Sequence, residues 1–277
     1  MPARARVAVV GHVEWLTHAL GVMPGPGEIT ALAEPFEEPA GGGAVAAAQV
    51  AKLGCECLFF TALGADEAGR RSREGLEDLG VRVLAGSRAG PQTRALSATG
   101  PTGDRAIAVI GRPTAPRADD PLAWEELDAC DAAYFTGRDP LTLAHARRAR
   151  TLVVTARRLE VLQSSGVRAD VVVASASDPS EAVTPHDLPV APGVIVWTEG
   201  ALGGRFRRAD GGEGRWLAVP PPAPPVDSYG CGDSFAAGLT AGLARGLPLE
   251  EALALGARCG ATCLTGRGGL VPQLKER

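Results

Sequence analysis

The sequence predicts an α/β fold, a mostly parallel central sheet flanked by helices, with a small β appendage. Three observations carry this. Short apolar runs recur at 6–10, 57–62, 132–136, 151–155, 171–175 and 193–198. Helical stretches alternate with them at 44–53, 69–79, 141–150, 158–164, 234–245 and 249–265. Segment 12–40 and a hairpin of 95–99 with 105–110 stand outside the alternation and supply the appendage. Strands alternating with helices argue for parallel strands joined by helical crossovers.

Arg6-Val7-Ala8-Val9-Val10 is apolar without alternation and ends at Gly11, as a strand buried on both faces should. Residues 22–40 contain four prolines and read as loop or irregular strand. Ala44–Leu53 is an Ala-rich helix closed by Gly54, and Gly69–Leu79 is closed by Gly80. Pro101-Thr102-Gly103-Asp104 supplies the turn of the 95–110 hairpin. Phe206–Arg208 and Arg215–Val219 form a second, smaller hairpin before a proline run at 220–225.

The chain has 277 residues, 45% of them hydrophobic but only 4% aromatic, so Val, Leu and Ala must fill the core. That length suits one domain with a small addition. A net charge of −4 gives no general attraction to nucleic acid or anionic membrane. None of the six cysteines forms a CxxC pair, and the four histidines are scattered, so no zinc site is expected. The thiols read as small buried hydrophobes. MPARARVAVVG reads as a first strand, not a signal peptide, and no run approaches a membrane span. A cytoplasmic location is the expectation.

The segment Asp227-Ser228-Tyr229-Gly230-Cys231-Gly232-Asp233 precedes a helix. A helix start carries unsatisfied N–H groups and the positive end of the macrodipole. Glycines there let those amides close on an oxyanion. A carboxylate beside them can take a proton from an incoming hydroxyl. The alternative is an ordinary capped helix with Asp233 as N-cap.

This arrangement resembles the PfkB, or ribokinase-like, carbohydrate kinase family, whose second signature reads approximately D-T-x-G-A-G-D. Asp227, Ser228, Gly230, Gly232 and Asp233 stand in register with it. The resemblance implies a three-layer α/β/α ribokinase-like domain over 1–277, with a β lid from about 12–40 and 92–112. It implies ATP and Mg²⁺ as cofactors and leaves a monovalent cation such as K⁺ open. Asp233 would be the catalytic base, and the amides of Gly230, Cys231 and Gly232 the anion hole. Ala40-Gly41-Gly42-Gly43-Ala44-Val45, followed by Gly54, Gly64, Asp66 and Gly69, matches the first signature. The 64–69 stretch reads as scaffold, and Gly42 would touch substrate.

Two departures concern the acceptor. Val45 stands where the family has a substrate-holding Asn, and Leu16 where many members carry a sugar-gripping Asp. His12 and Glu14 could serve instead, although His12 also fits a loop residue without a role. Asp178-Pro179-Ser180-Glu181 resembles the N-x-x-E motif, so Glu181 would act on Mg²⁺ through water with Asp178 nearby. A capped helix start also fits. Thr198-Glu199-Gly200-Ala201-Leu202-Gly203 matches the T-x-G-x-x-G nucleotide loop, giving Thr198, Gly200 and Gly203 as ATP contacts, with Ala257 against the adenine. Arg157 would face substrate or phosphate, unless it is simply solvated.

The leading expectation is phosphoryl transfer from Mg·ATP to a hydroxyl of a sugar or similar polyol. A nucleoside kinase of the same fold and a non-catalytic nucleotide- or sugar-sensing protein are the alternatives. The family often dimerises through the lid, so a homodimer stays open.

Overall fold

The computed structural model describes residues 4–101 and 105–276. The turn expected at 101–104 therefore lies largely outside the described residues. The first half contains β1 (Arg6–Val10), β2 (Glu14–Leu20), β3 (Ala33–Ala40), α1 (Gly42–Lys52), β4 (Glu56–Gly64), α2 (Glu67–Glu77), β5 (Val81–Arg88), β6 (Arg94–Thr99) and β7 (Arg105–Ile110). The second half contains β8 (Ala132–Phe135), α3 (Pro140–Ala146), β9 (Thr151–Thr155), α4 (Leu159–Ser165), β10 (Val171–Ser175), β11 (Val194–Thr198), β12 (Gly204–Arg208), β13 (Glu213–Trp216), α5 (Cys231–Ala244) and α6 (Leu249–Cys263).

The main sheet has nine strands in the order β13-β12-β11-β10-β9-β8-β1-β4-β5. Every pair from β11 to β5 is parallel. Only β12 and β13 are antiparallel, as the small hairpin expected there. The chain runs outward one way from β1 through β4 and β5, then returns to β8 and runs the other way. The switch point therefore falls between β1 and β8, and ligands of open parallel sheets bind at such a point, beyond the carboxyl ends of the strands.

The parallel strands are buried on both faces, which is why they read as unbroken apolar runs. Phe59 and Phe60 are adjacent and both fully buried, yet they belong to opposite cores. Phe59 belongs to the same buried cluster as Leu76 and Phe235; Phe60 belongs to the one that holds Trp124, Leu127 and Leu143. Five of the six cysteines are buried within the fold.

Segment 12–40 holds two strands, β2 and β3, joined by an irregular stretch at 21–32. β3, β2, β6 and β7 form a second sheet, in that order, in which β2 and β6 are parallel and the outer pairs antiparallel. Pro35 and Pro39 lie in β3. They are tolerated because β3 is an edge strand, whose outward side needs no N–H donor. Segment 81–88, unassigned from sequence, is the edge strand β5 of the main sheet. Its Val-Arg-Val start buries one face only, and Gly86 interrupts the apolar pattern.

The small sheet is pinned to the segment after α6. Glu38 accepts from the amide of Gly269 at 2.7 Å and pairs with His18 at 3.0 Å. Arg267 donates to the carbonyl of Glu34 at 2.7 Å.

Phe60→Ala would leave a cavity against Trp124, whose ring stacks on Phe60 at 5.0 Å. The expected loss is about 3–5 kcal/mol, read from chemical denaturation. A loss below ~1 kcal/mol would contradict the packing of that core.

Candidate active site

Helix α5 begins at Cys231, two residues earlier than a start at Asp233 would give. Gly230 is the N-cap, with φ +76°, and no side chain caps the helix. Cys231, Gly232 and Asp233 form the first turn, so the amides expected to make an anion hole belong to the helix itself. Such amides have no partner within the helix. The Cys231 amide makes only a long bond, 3.4 Å, to the Ser228 carbonyl. A Cβ built at Gly232 would meet nothing within 4 Å, so the approach to the turn is open.

Asp233 is not the cap. Among the described residues its carboxylate accepts no hydrogen bond, and it lies beside the start of α1. A Cβ at Gly42 would come within 2.7 Å of Asp233 Oδ1 and 3.3 Å of Thr136 Oγ1. Burial pushes the Asp233 carboxyl up to about 6, although the charge of Arg157 opposes the shift and Glu181 adds to it. A carboxylate poised there is a better proton acceptor at neutral pH than a free aspartate.

His12 and Glu14 sit on the other side of the glycine segment. Both are buried, and His12 Nε2 lies 3.6 Å from Glu14 Oε1. A Cβ at Gly41 would touch His12 at 3.0 Å and Glu14 at 3.4 Å. Burial, aided by Arg158 and Arg138, lowers His12 to about 3, so the ring is neutral at physiological pH. Its Nδ1 is buried without a hydrogen-bond partner. Burial raises the Glu14 carboxyl, against the pull of Arg138.

The two departures, Leu16 and Val45, meet in one place. Both are fully buried in an apolar cluster with Ala40, Ala48, Ala95, Tyr229 and Leu270. They have become core. The Tyr229 hydroxyl accepts from the Gly41 amide at 3.0 Å. Tyr229 stands at the variable position of the 227–233 motif, so its place was visible in the sequence although its contact was not.

Of the residues expected to contact ATP, Thr198 ends β11 and its hydroxyl donates to the Ala174 carbonyl at 3.2 Å. Gly200 and Gly203 bound a 3₁₀ turn with φ +57° and +88°. Ala257 is half-buried on α6, against the core that holds Phe235. Asp178 caps a 3₁₀ turn through the Ser180 amide at 2.9 Å. Its carboxyl is held low, first by Ser180 and then by Arg157. Glu181 does not close a capping box on Asp178; it accepts from the Ser175 amide at 2.8 Å.

Arg157 joins these two acids. Its guanidinium donates to Asp178 at 2.7 Å and to Glu181 at 2.6 and 3.0 Å. The side chain is half-exposed, and its Nε and Nη2 hold the two carboxylates. Among the described residues no three His, Cys, Asp or Glu side chains converge as a metal cage. Asp178 and Glu181 supply oxygens alone, which fits a hard ion that draws its other ligands from phosphate and water.

Sequence reasoning passed over Thr136, Arg138, Arg158 and Arg105. Arg158 is buried and donates to the Thr136 carbonyl at 3.0 Å. Arg105, on β7 of the small sheet, reaches Ser228 Oγ and lies 5.8 Å from the Tyr229 ring centre. No local signal marks these residues, because their roles depend on strands far apart in sequence.

His12, Thr136, Arg157 and Thr198 lie at or just beyond the carboxyl ends of parallel strands, and Gly42 and Asp233 at the starts of α1 and α5, an arrangement for holding a polyanion next to a hydroxyl. The model of the pfkB family of carbohydrate kinases matches residues 4–188 and 188–276. The chain belongs to that family, and is a phosphotransferase acting on a hydroxyl. A ribokinase from Thermotoga maritima superimposes with a TM-score of 0.81 at 21% identity, over 98% of this chain and 96% of that one. Arabidopsis thaliana ribokinase, solved with ribose and ATP, gives 0.79 at 18% identity, over 99% and 96%. These likenesses show the ribokinase-like fold. Acarbose 7(IV)-phosphotransferase from an Actinoplanes species is 44% identical over 73 residues, 26% of this chain and 24% of that protein's length.

Leu16→Asp would put a carboxylate where the family often has one, but inside the apolar cluster. An unpaired buried charge costs about 3–5 kcal/mol, so the midpoint of urea unfolding should fall sharply. Unchanged stability would show that Leu16 is not core.

Proposed function

We propose that this protein transfers the γ-phosphoryl group of Mg·ATP to a hydroxyl of a sugar or sugar-like small molecule, with Asp233 as the general base. The observation that carries this reading is the uncapped first turn of α5, which holds an unbonded, partly buried carboxylate beside free-standing helix amides.

The acceptor binds beyond β1 and β8. His12, neutral and with Nδ1 unpartnered, and Glu14 orient its hydroxyls, with the Gly42 backbone alongside. Asp233 takes the proton from the reacting hydroxyl. The oxygen attacks the γ-phosphorus as its bond to the bridging oxygen breaks, and ADP leaves with that electron pair. The amides of Gly230, Cys231 and Gly232 stabilise the charge on the transferring group. Thr198, Gly200, Gly203 and Ala257 line the nucleotide. Asp178 and Glu181 would hold Mg²⁺ through water, where the ion would neutralise phosphate charge. The small sheet serves as a lid: Arg105 bridges it to Ser228, next to the anion hole, and closure excludes water that would otherwise hydrolyse ATP.

The ATP donor is supported by the family and by the ATP-bound ribokinase of the same fold. Retention of a positioned base argues against a purely sensing role.

Asp233→Asn should lower kcat by about 10²–10⁴-fold with ATP affinity nearly unchanged, measured by ADP release and nucleotide titration. Near-normal turnover would remove Asp233 as the base. The pH profile follows from the same group. Below about 6 the carboxyl is protonated and cannot accept the proton, so kcat/KM should fall with unit slope on the acid side of about 6. A flat profile down to pH 5 would contradict this assignment.

A further inference from the structure

A cavity of about 660 Å³ opens where the small sheet meets the main one, lined by Gln92, Thr114 and five arginines: Arg88, Arg94, Arg112, Arg117 and Arg138. Two of these are neutralised. Arg88 makes a two-pronged pair with Asp120 at 2.7 Å, and Arg94 lies 3.6 Å from Asp66. Among the described residues, Arg112, Arg117 and Arg138 have no carboxylate within ion-pair distance. The one acid in the lining, Asp139, is occupied by the amides of Leu141 at 2.9 Å and Ala118 at 3.1 Å.

A second cavity, of about 650 Å³, shows the contrast. It lies by β11–β13 and is also rich in arginine, but Arg205 and Arg215 there share Glu199, and Arg207 meets Glu213. Each of its arginines has a carboxylate partner. Not all of those in the first cavity do, and uncompensated guanidinium groups around a concavity favour an anion. Guanidinium suits carboxylate and phosphate alike, since both accept two parallel N–H bonds.

The cavity adjoins the acceptor site. Gln92, in its wall, donates from Nε2 to the carbonyl of Val13 at 2.7 Å, and Val13 stands between His12 and Glu14. Arg138 follows β8 two residues after Thr136, whose hydroxyl faces Gly42. An acceptor held at His12 and Glu14 can therefore extend into the arginine cavity while keeping a hydroxyl near Asp233.

Resting on the kinase reading, we infer that the acceptor is an anionic sugar, whose carboxylate or phosphate group is held in this cavity by Arg138, Arg112 and Arg117. The group does not react. It anchors the far end of the sugar, and the specificity of the enzyme lies in these arginines as well as in His12 and Glu14.

The test is ADP release by the full chain with Mg·ATP. The acceptors are aldonic and ketoaldonic acids, pentose and hexose monophosphates, and the neutral parent of each. Anionic acceptors should exceed their neutral parents at least tenfold in kcat/KM. Arg138→Gln and Arg112→Gln should each cut that preference by roughly tenfold to a hundredfold, the scale of a lost charge-assisted hydrogen bond, mainly through KM. The acid and phosphate arms separate the two kinds of anion. Preference for neutral parents, or a ratio unmoved by both variants, would overturn the inference and leave the kinase reading intact. If no acceptor is phosphorylated, the kinase reading fails first. Calorimetric titration with the same acids and phosphates then decides the cavity. Binding by the unaltered chain that Arg138→Gln weakens tenfold or more supports it, and no binding by any anionic sugar overturns it.

Discussion

The end of β1, the start of α1 and the start of α5 meet where only backbone can fit. A Cβ at Gly43 would lie 2.7 Å from the His12 carbonyl oxygen and 2.9 Å from both the His12 nitrogen and the Phe59 ring. One residue earlier, a Cβ at Gly42 would be driven against Asp233. Real Cβ atoms do not tolerate such distances, so a side chain here must displace either the first strand or the base. The close approach seats α1 directly over the carboxyl end of β1. It puts His12 and Glu14 on one side of the glycine segment and Asp233 on the other. His12, Glu14, Asp233 and the first amides of α5 therefore share a single point of the fold, next to the switch between β1 and β8.

Charge is distributed unevenly around that point. The Asp233 carboxyl is pushed upward by burial, while Arg157, Arg105 and Arg158 moderate the shift. Arg157 is held by Asp178 and Glu181, so those acids are positioned before any ligand arrives. Arg158 is fixed by the Thr136 carbonyl. Positive groups held in place on both sides of a partly desolvated carboxylate favour a reaction in which phosphoryl charge moves across the site. Leu16 and Val45, in contrast, have left the polar surface and joined Tyr229 in an apolar cluster.

Most of the main sheet was legible in the chain because parallel strands buried on both faces are unbroken apolar runs between helices. Expected strands at 132–136, 151–155 and 171–175 match β8, β9 and β10 to within a residue. Edge strands were harder. β5 buries one face only, and β3 carries two prolines that are usually turn signals but are harmless at an edge. The pairing of β2 with β6 was hidden for another reason: the two strands are parallel partners about eighty residues apart, and no local pattern encodes register between them. The start of α5 was placed late because glycine, cysteine and glycine are weak helix formers, and only the packed helix reveals that they form its first turn.

The sequence alone determined the sheet class, the family and the short motifs. Those rest on local chemistry: glycines where backbone must approach, carboxylates at fixed offsets, apolar runs of fixed period. Tertiary structure decided which of these residues meet. It showed that Asp233 is not a cap, that Arg157 pairs with both Asp178 and Glu181, and that Leu16 and Val45 are one core. It also brought Arg112, Arg117 and Arg138 to the rim of a single cavity, from a connection and a strand end that share no motif. The reason is physical. A motif fixes the atoms a residue offers, whereas burial, pairing and field depend on neighbours contributed by other strands.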